Sequence, residues 1–210
     1  MPADETPRTP PTLGAEGRIL EGIVTTLNAD GSVNVSPMGP IVDDSLDRLW
    51  LRPFQTSTTY RNLKRTGRGV FHVTDEVELL AQAAVGQPAS LPRFTATPAG
   101  DALILADACR WYAFDIESLD DAEERTSIVA KVTDRGTLRE FLGFNRAQHA
   151  VLEAAILATR VHLTGAAVVL AEYDRLQIAV DKTGAAAEHR ALAFLRSHVS
   201  RAGEQAGQQQ

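Results

Sequence analysis

Residues 54–69 read FQTSTTYRNLKRTGRG and gather groups that bind anions. Hydroxyls stand at Thr56, Ser57, Thr58 and Thr59, and Arg61, Asn62, Lys64, Arg65 and Arg68 follow. The residue types predict a short helix from Thr58 to Lys64, with a hydroxyl residue as N-cap and Gly67 and Gly69 closing it. The first turn of a helix presents backbone N–H groups without intrahelical acceptors and carries partial positive charge. Ser57, Thr58 and Thr59 add neutral donors there. The planar fork of Arg61 can grip two oxygens of one phosphate, and Arg52 precedes the turn. Such a turn holds a phosphate monoester. The alternative is plain capping with cations in solvent, and the stretch taken alone leaves both open.

A second polar segment is Asn34-Val35-Ser36-Pro37-Met38-Gly39. A polar strand face runs into Pro and Gly, whose backbone is released from ladder pairing and can hydrogen-bond a planar heterocycle. Gly39 would let a ring approach closely. The plainer alternative is an ordinary strand end. A third feature lies on a helix predicted at about 145–162, where Arg146, Glu153 and Arg160 recur every seven residues with His149 on the same side. That stripe either faces a polar site or is an ion-paired row that orients the helix at a subunit interface or against the barrel. The five histidines are scattered without metal-ligand spacing, so no metal site is expected. No G-x-S-x-G elbow, G-x-G-x-x-G or G-x-x-x-x-G-K loop occurs, and the catalytic residues stay unassigned. Lys64, Arg65 and Arg68, and the pairs Asp43/Asp44 and Asp120/Asp121, read as solvated charge.

These groups need elements to position them. Residues 18–27 and 32–36 read as a hairpin around Asn28-Ala29-Asp30-Gly31, with Val33 and Val35 on one face and Ser32, Asn34 and Ser36 on the other. Pro37 to Pro40 is expected to end the strand. Strands follow at 48–53, 69–74, 102–106, 110–117 and 126–133, with a loop at 89–101. Helices are expected from a cap at Asp75, over 136–142 and 145–162, and over 185–202. Residues 166–180 fit either a strand or part of a helix. Antiparallel runs with short turns and late helices indicate an α+β fold, mainly antiparallel β, with a β-barrel or strongly bent sheet and a helical C-terminal part.

The 210 residues suffice for a sizeable core, and the hydrophobic share of 44% with 23% charged residues is ordinary for a globular chain. A formal net charge of −6 argues against a nucleic-acid partner. Cys109 is the lone cysteine, so no internal disulfide forms. The chain has no apolar run that would span a bilayer. Residues 1–16, rich in proline and without an apolar leader core, read as a disordered arm. Residues 17–202 read as the folded domain, and 203–210 as a frayed tail. A cytoplasmic location is the expectation, with no membrane partner.

The runs EGIVTTLNADGSVNVSPMGP (21–40), LRPFQTSTTYRNLKRTGRGVFHVTDEVELL (51–80) and NRAQHAVLEAAILATR (145–160) resemble the family catalogued as domain of unknown function 447. That family is similar to the flavin-binding split barrels, the fold of pyridoxamine phosphate oxidase and flavin-reductase-like proteins. The resemblance implies a six-stranded antiparallel Greek-key split barrel and a homodimer with FMN in a groove at its interface. It implies that Asn34, Ser36, Met38 and Gly39 lie beside the ring. It also implies that Ser57, Thr58, Thr59, Arg61 and Asn62, with Arg52 nearby, lie at the phosphate. An FMN-binding flavoprotein follows, an oxidoreductase or flavin-reductase-like protein whose small-molecule substrate is not indicated. The alternative is a non-catalytic module for FMN or another phosphorylated or pterin-like ligand, linked to one-carbon metabolism.

Overall fold

The structure, a computed structural model, describes residues 9–86, 88 and 90–207; of the arm expected at 1–16 and the tail expected at 203–210, residues 1–8 and 208–210 lie outside them. The described residues form two compact units, one of 9–73 and 93–139, the other of 74–86, 88, 90–92 and 140–207.

The first unit holds every strand among the described residues. They are β1 (Arg18–Ile19), β2 (Gly22–Leu27), β3 (Val33–Met38), β4 (Ile41–Val42), β5 (Arg48–Leu51), β6 (Arg68–Val73), β7 (Phe94–Ala96), β8 (Leu103–Leu105), β9 (Arg110–Asp120) and β10 (Ser127–Thr137), with helix α1 (Thr58–Thr66) between β5 and β6. Eight strands form one antiparallel sheet in the order β1-β4-β5-β10-β9-β6-β2-β3. Two links dictate its shape. Ile19 is followed by only Leu20 and Glu21 before β2, and Met38 by only Gly39 and Pro40 before β4. Each link joins strands six places apart in the order. In a flat sheet that span is about 29 Å at ~4.8 Å per strand. Three Cα steps reach at most about 11 Å. The sheet must therefore curl until its two edges nearly meet, which is a split barrel.

Alternation along the strands sorts the barrel into two faces. Val24, Leu49, Leu51, Phe71, Tyr112, Phe114, Ile128 and Ala130 fill the interior together with Leu63 of α1. Burying each large apolar side chain contributes on the order of 1.5–3 kcal/mol. Outside, Val70, Trp111 and Ala113 are covered by Ile104 of β8. β7 and β8 make their own two-stranded sheet, so part of the expected 89–101 loop is a strand.

Two further departures in this unit come from pairing that local patterning does not carry. β3 continues through Pro37 and Met38, because it is the edge strand and the missing Pro37 N–H faces no neighbour. The helix expected at 136–142 does not form. β10 runs to Thr137 in register with Arg110 of β9, and a Cβ on Gly136 would meet the Trp111 indole at 2.6 Å.

The second unit comprises α2 (Val77–Ala84), α3 (Arg146–Thr159), the single turn α4 (Val161–Thr164), α5 (Ala166–Thr183) and α6 (Ala186–Gly207). The N-cap of α2 is Glu76, not Asp75, and makes no side-chain capping bond. Ala147, Ala150, Ala154 and Ala158 give α3 a buried face of small residues, and Tyr173 of α5 donates to the Ala154 carbonyl at 2.6 Å. Residues 166–180 are helical because Val169, Tyr173 and Val180 bury one side of α5. α6 continues past Ala202, so residues 203–207 are helical rather than frayed: Gly203 sits where a Cβ would meet the Ala166 Cβ at 2.8 Å, and Glu204, Gln205 and Ala206 are good helix formers. Among the described residues no helix is long and apolar enough to cross a membrane.

His72, fully buried in β6, ties the barrel to β8. Its Nδ1–H donates to the Ile23 carbonyl and its Nε2 accepts from the Leu105 N–H, each at 3.1 Å. These partners require the neutral imidazole. Burial pushes its pKa down from 6.5 to about 4. The unfolded chain therefore binds the extra proton as pH falls from 6.5 to 4, and stability present above 6.5 is lost across that window. Urea unfolding should show about 3 kcal/mol less stability at pH 4 than at pH 7 from this group, and His72→Gln should remove that part of the slope.

Candidate functional site

Ser57 caps α1: its Oγ accepts from the Tyr60 N–H at 3.1 Å, and Gly67 ends the helix in the left-handed region. The expected cap and stop are both present, and the helix runs two residues beyond Lys64. Three sides of this short helix do different things.

One side faces the β2–β3 hairpin. Asn62 Nδ2 donates to Thr26 Oγ1 at 3.0 Å and to Asn28 Oδ1 at 2.8 Å. Asn34 Nδ2 donates to Thr26 Oγ1 at 3.2 Å and to Thr59 Oγ1 at 3.1 Å. Thr26, Thr59 and Asn62 are buried. Buried polar groups cost little only when they are bonded, so this network fixes helix and hairpin as one piece. Asn34, Thr59 and Asn62, expected at the ligand, thus spend hydrogen bonds on the fold.

A second side faces the turn after β9. Tyr60 Oη and Lys64 Nζ both donate to Asp121 Oδ2, at 2.5 and 2.6 Å, and Lys64 also reaches Tyr60 Oη at 3.0 Å. Lys64 holds the Asp121 carboxyl below the usual carboxylate range, with help from Tyr60, and Asp121 in turn pushes the Lys64 ammonium up. The preceding chain is stitched to the same turn. Gln55 donates to the Asp121 and Glu123 carbonyls at 2.8 and 2.9 Å, and Thr126 Oγ1 donates to the Pro53 carbonyl at 2.8 Å. Arg125 lies over the Phe54 ring and donates from Nε to the Arg52 carbonyl at 3.3 Å.

The third side is exposed and carries Thr58 and Arg61. The Arg61 guanidinium folds back over the N-terminal turn, donating to the Thr56 carbonyl at 2.8 Å and to Thr58 Oγ1 at 3.1 Å. A cation, a hydroxyl and the first N–H groups of a helix converge there, which is the chemistry of a phosphate or carboxylate cradle. Arg52, half-buried, has a buried Nε with no hydrogen-bond partner.

The ring-side candidates divide. Asn34, Ser36 and Met38 share the face of β3 that pairs with Thr26, Val24 and Gly22, and Met38 packs against the barrel core. Ser36 has only a 3.5 Å contact to its neighbour's carbonyl. Gly39 does not stand open to a ring. A Cβ there would lie 2.7 Å from Ile19 Cγ2 and 2.9 Å from a Glu21 carboxylate oxygen. Its lack of a side chain serves the tight link between the sheet edges. Among the described residues no hydrogen bond connects Arg52, Ser36, Met38 or Gly39 to α1.

Several charges read as solvated have partners: Lys64 pairs with Asp121, Arg65 donates to the Leu27 carbonyl, and Arg68 pairs with Asp101 and lies 3.8 Å from Asp115. Asp43 caps its own turn, accepting from Ser45 and Leu46. Asp121 is the main residue that sequence reading missed. The only local signal was the spacing of Tyr60 and Lys64, which stacks a hydroxyl and a cation on one helix face. On α3 Arg146, His149 and Glu153 are exposed, as is its C-cap Arg160, and the His149 ring meets Phe144 edge-on at 5.9 Å.

A curled antiparallel sheet open between its edge strands β1 and β3, with a helix α1 capped by Ser57, defines a split-barrel protein. Residues 20–139 match the N-terminal domain of the family described as protein of unknown function (DUF447), and residues 145–197 match the second domain of that description. The chain belongs to this family. Among solved structures it is similar to an FMN-bound DUF447 protein from Methanosarcina mazei. That pair is 24% identical over 86% of this chain and 94% of the other, with a TM-score of 0.71. It also resembles a flavin reductase domain protein from Arthrobacter sp. FB24 (16% identity, 59% of this chain and 80% of that, TM-score 0.51). A flavoredoxin from Methanosarcina acetivorans is similar at 9% identity over 66% and 78% of the two chains, with a TM-score of 0.51. These likenesses are likenesses of fold. No curated protein matches the chain.

Asn62→Ala should cost roughly 1–3 kcal/mol of stability, because the buried Thr26 hydroxyl loses one of its two donors and the half-buried Asn28 side-chain oxygen loses the Asn62 amide. Thr58→Ala, on the exposed side, should change stability by less than about 0.5 kcal/mol. Urea unfolding monitored by tryptophan fluorescence checks both.

Proposed function

We propose that this chain binds FMN with its phosphate at the N-terminal turn of α1 and serves as a flavin-dependent oxidoreductase. The observation that carries this is the exposed side of that turn, where the Arg61 guanidinium and Thr58 hydroxyl converge on a Ser-capped helix start. The residues present fit the group. Arg52 offers a buried Nε that still lacks an acceptor. The half-buried polar face of Asn34 and Ser36 lies on the strand bonded to α1. The FMN-bound relative of the same family, similar in fold over most of both chains, supports the same ligand.

Arg61 and Thr58 would hold phosphate oxygens by charge-assisted and neutral hydrogen bonds. Ser57 keeps the turn in shape through its bond to the Tyr60 N–H. Asn34 and Ser36 would meet the polar edge of the ring. When bound, FMN supplies the electron transfer, and the protein supplies orientation and hydrogen bonding. The reading includes a homodimer with FMN at its interface. Leu142 and Phe144, 90% and 94% exposed, give the chain apolar surface for such a contact.

Purified protein should be yellow or take up added FMN, with a resolved flavin spectrum, and a chain that binds no FMN ends the proposal. Arg61→Ala should weaken FMN by about 1.5–3 kcal/mol, or roughly 10- to 150-fold, and leave riboflavin affinity unchanged. Bleaching of bound flavin by NADH or NADPH separates an oxidoreductase from a binding module. Light scattering should return twice the chain mass.

A further inference from the structure

We infer that Asp121 is a positioning residue for the anion turn of α1: its carboxylate, bonded to Tyr60 and Lys64, sets where Thr58 and Arg61 stand without itself touching the ligand. The inference rests on the FMN reading above.

α1 is held from two sides. The Asn34–Thr26–Asn62 network fixes it to β3 and β2. On the other side, among the described residues, its hydrogen bonds to the turn after β9 come from the Tyr60 and Lys64 side chains, and Asp121 receives both of them. The chain leading into the helix is bound to that same turn at Pro53, Phe54 and Gln55, by Thr126 Oγ1 and N–H, by the Phe54–Arg125 bridge, and by the carbonyls of Asp121, Glu123 and Glu124. The segment 56–58, which carries the first N–H groups and accepts the Arg61 guanidinium, spans the gap between these two attachments. Its geometry is therefore set by the distance between Asp121 and the helix. A loosened clamp leaves the donors present but out of register, and binding of a small, multiply bonded anion depends on that register.

Simple electrostatics predicts the opposite sign. Asp121 is a negative charge near an anion site, and it occupies the Lys64 ammonium. Removing its charge would then strengthen anion binding, since repulsion falls and a cation is released. A positioning role predicts weaker binding despite the more positive field.

The test is FMN and riboflavin titration, by quenching of flavin fluorescence, of the full chain and of Asp121→Asn, Asp121→Glu, Lys64→Met and Lys64→Met/Asp121→Asn. Asp121→Asn should bind FMN about tenfold more weakly, the lower end of what loss of an outer supporting group costs at metal sites. Riboflavin, which lacks the phosphate, should be unaffected. Asp121→Glu should recover part of the loss. In the Lys64→Met background, Asp121→Asn should cost clearly less, because the clamp is already broken. Unchanged or tighter FMN binding by Asp121→Asn overturns the inference and leaves the FMN reading intact. Equal weakening toward FMN and riboflavin also overturns it, because the effect would not act through the phosphate turn. If the wild-type chain binds no FMN, the cofactor reading fails and this inference fails with it.

Discussion

Two links of two residues each govern this barrel. Because Leu20-Glu21 and Gly39-Pro40 must connect strands at opposite ends of the sheet order, the sheet has no flat solution. Its curl places Val24, Leu49, Phe71, Tyr112, Phe114 and Ile128 on one inward face and gives Leu63 of α1 an apolar site to fill. It also explains the tight packing at Gly39, where Ile19 of β1 and Glu21 of the companion link occupy the space of a side chain. Once the sheet is curled, β3 and α1 become neighbours and the polar residues of 26–34 and 59–62 must satisfy one another.

That satisfaction divides the conspicuous TSTTYRN run among three tasks. Thr59 and Asn62 are buried and bonded to the hairpin. Tyr60 is bonded to the turn after β9, with Lys64 one helical turn on. Ser57, Thr58 and Arg61 remain to shape and face an outside anion. Capping and anion binding are not rivals here, because the cap side chain takes one N–H and leaves the earlier ones facing outward. The acidic net charge of the chain is no obstacle either, since Lys64 and Arg68 are neutralised by partners while Arg61 bonds only a carbonyl and a hydroxyl.

Histidine 72 shows the same economy away from the site. A titratable ring is used as a neutral two-ended connector between a barrel strand and the β7–β8 hairpin, bonded at both nitrogens. Its burial ties the integrity of that contact to pH, with the loss on the acid side.

What the sequence by itself determined is what short-range physics controls. The hairpin of 22–27 and 33–36 with its turn at Asn28 to Gly31, the hydroxyl cap, the Gly67 stop and the last helix with its buried Leu192, Leu195 and Val199 all follow from residue types within a few positions of one another. The family runs carried the split barrel as well. What only the tertiary structure decided depends on partners far along the chain. Residues 136–137 are a strand because β9 pairs with them, and 166–183 are a helix because Val169 and Tyr173 are buried. Asn34 and Asn62 read as ligand groups from 25 and more residues away, yet bond each other's neighbours once the sheet curls. Asp121 read as a solvated turn, yet it lies 61 residues from the tyrosine it holds. Hydrogen-bond partners at such separations leave no periodic trace, because nothing in the local backbone requires them.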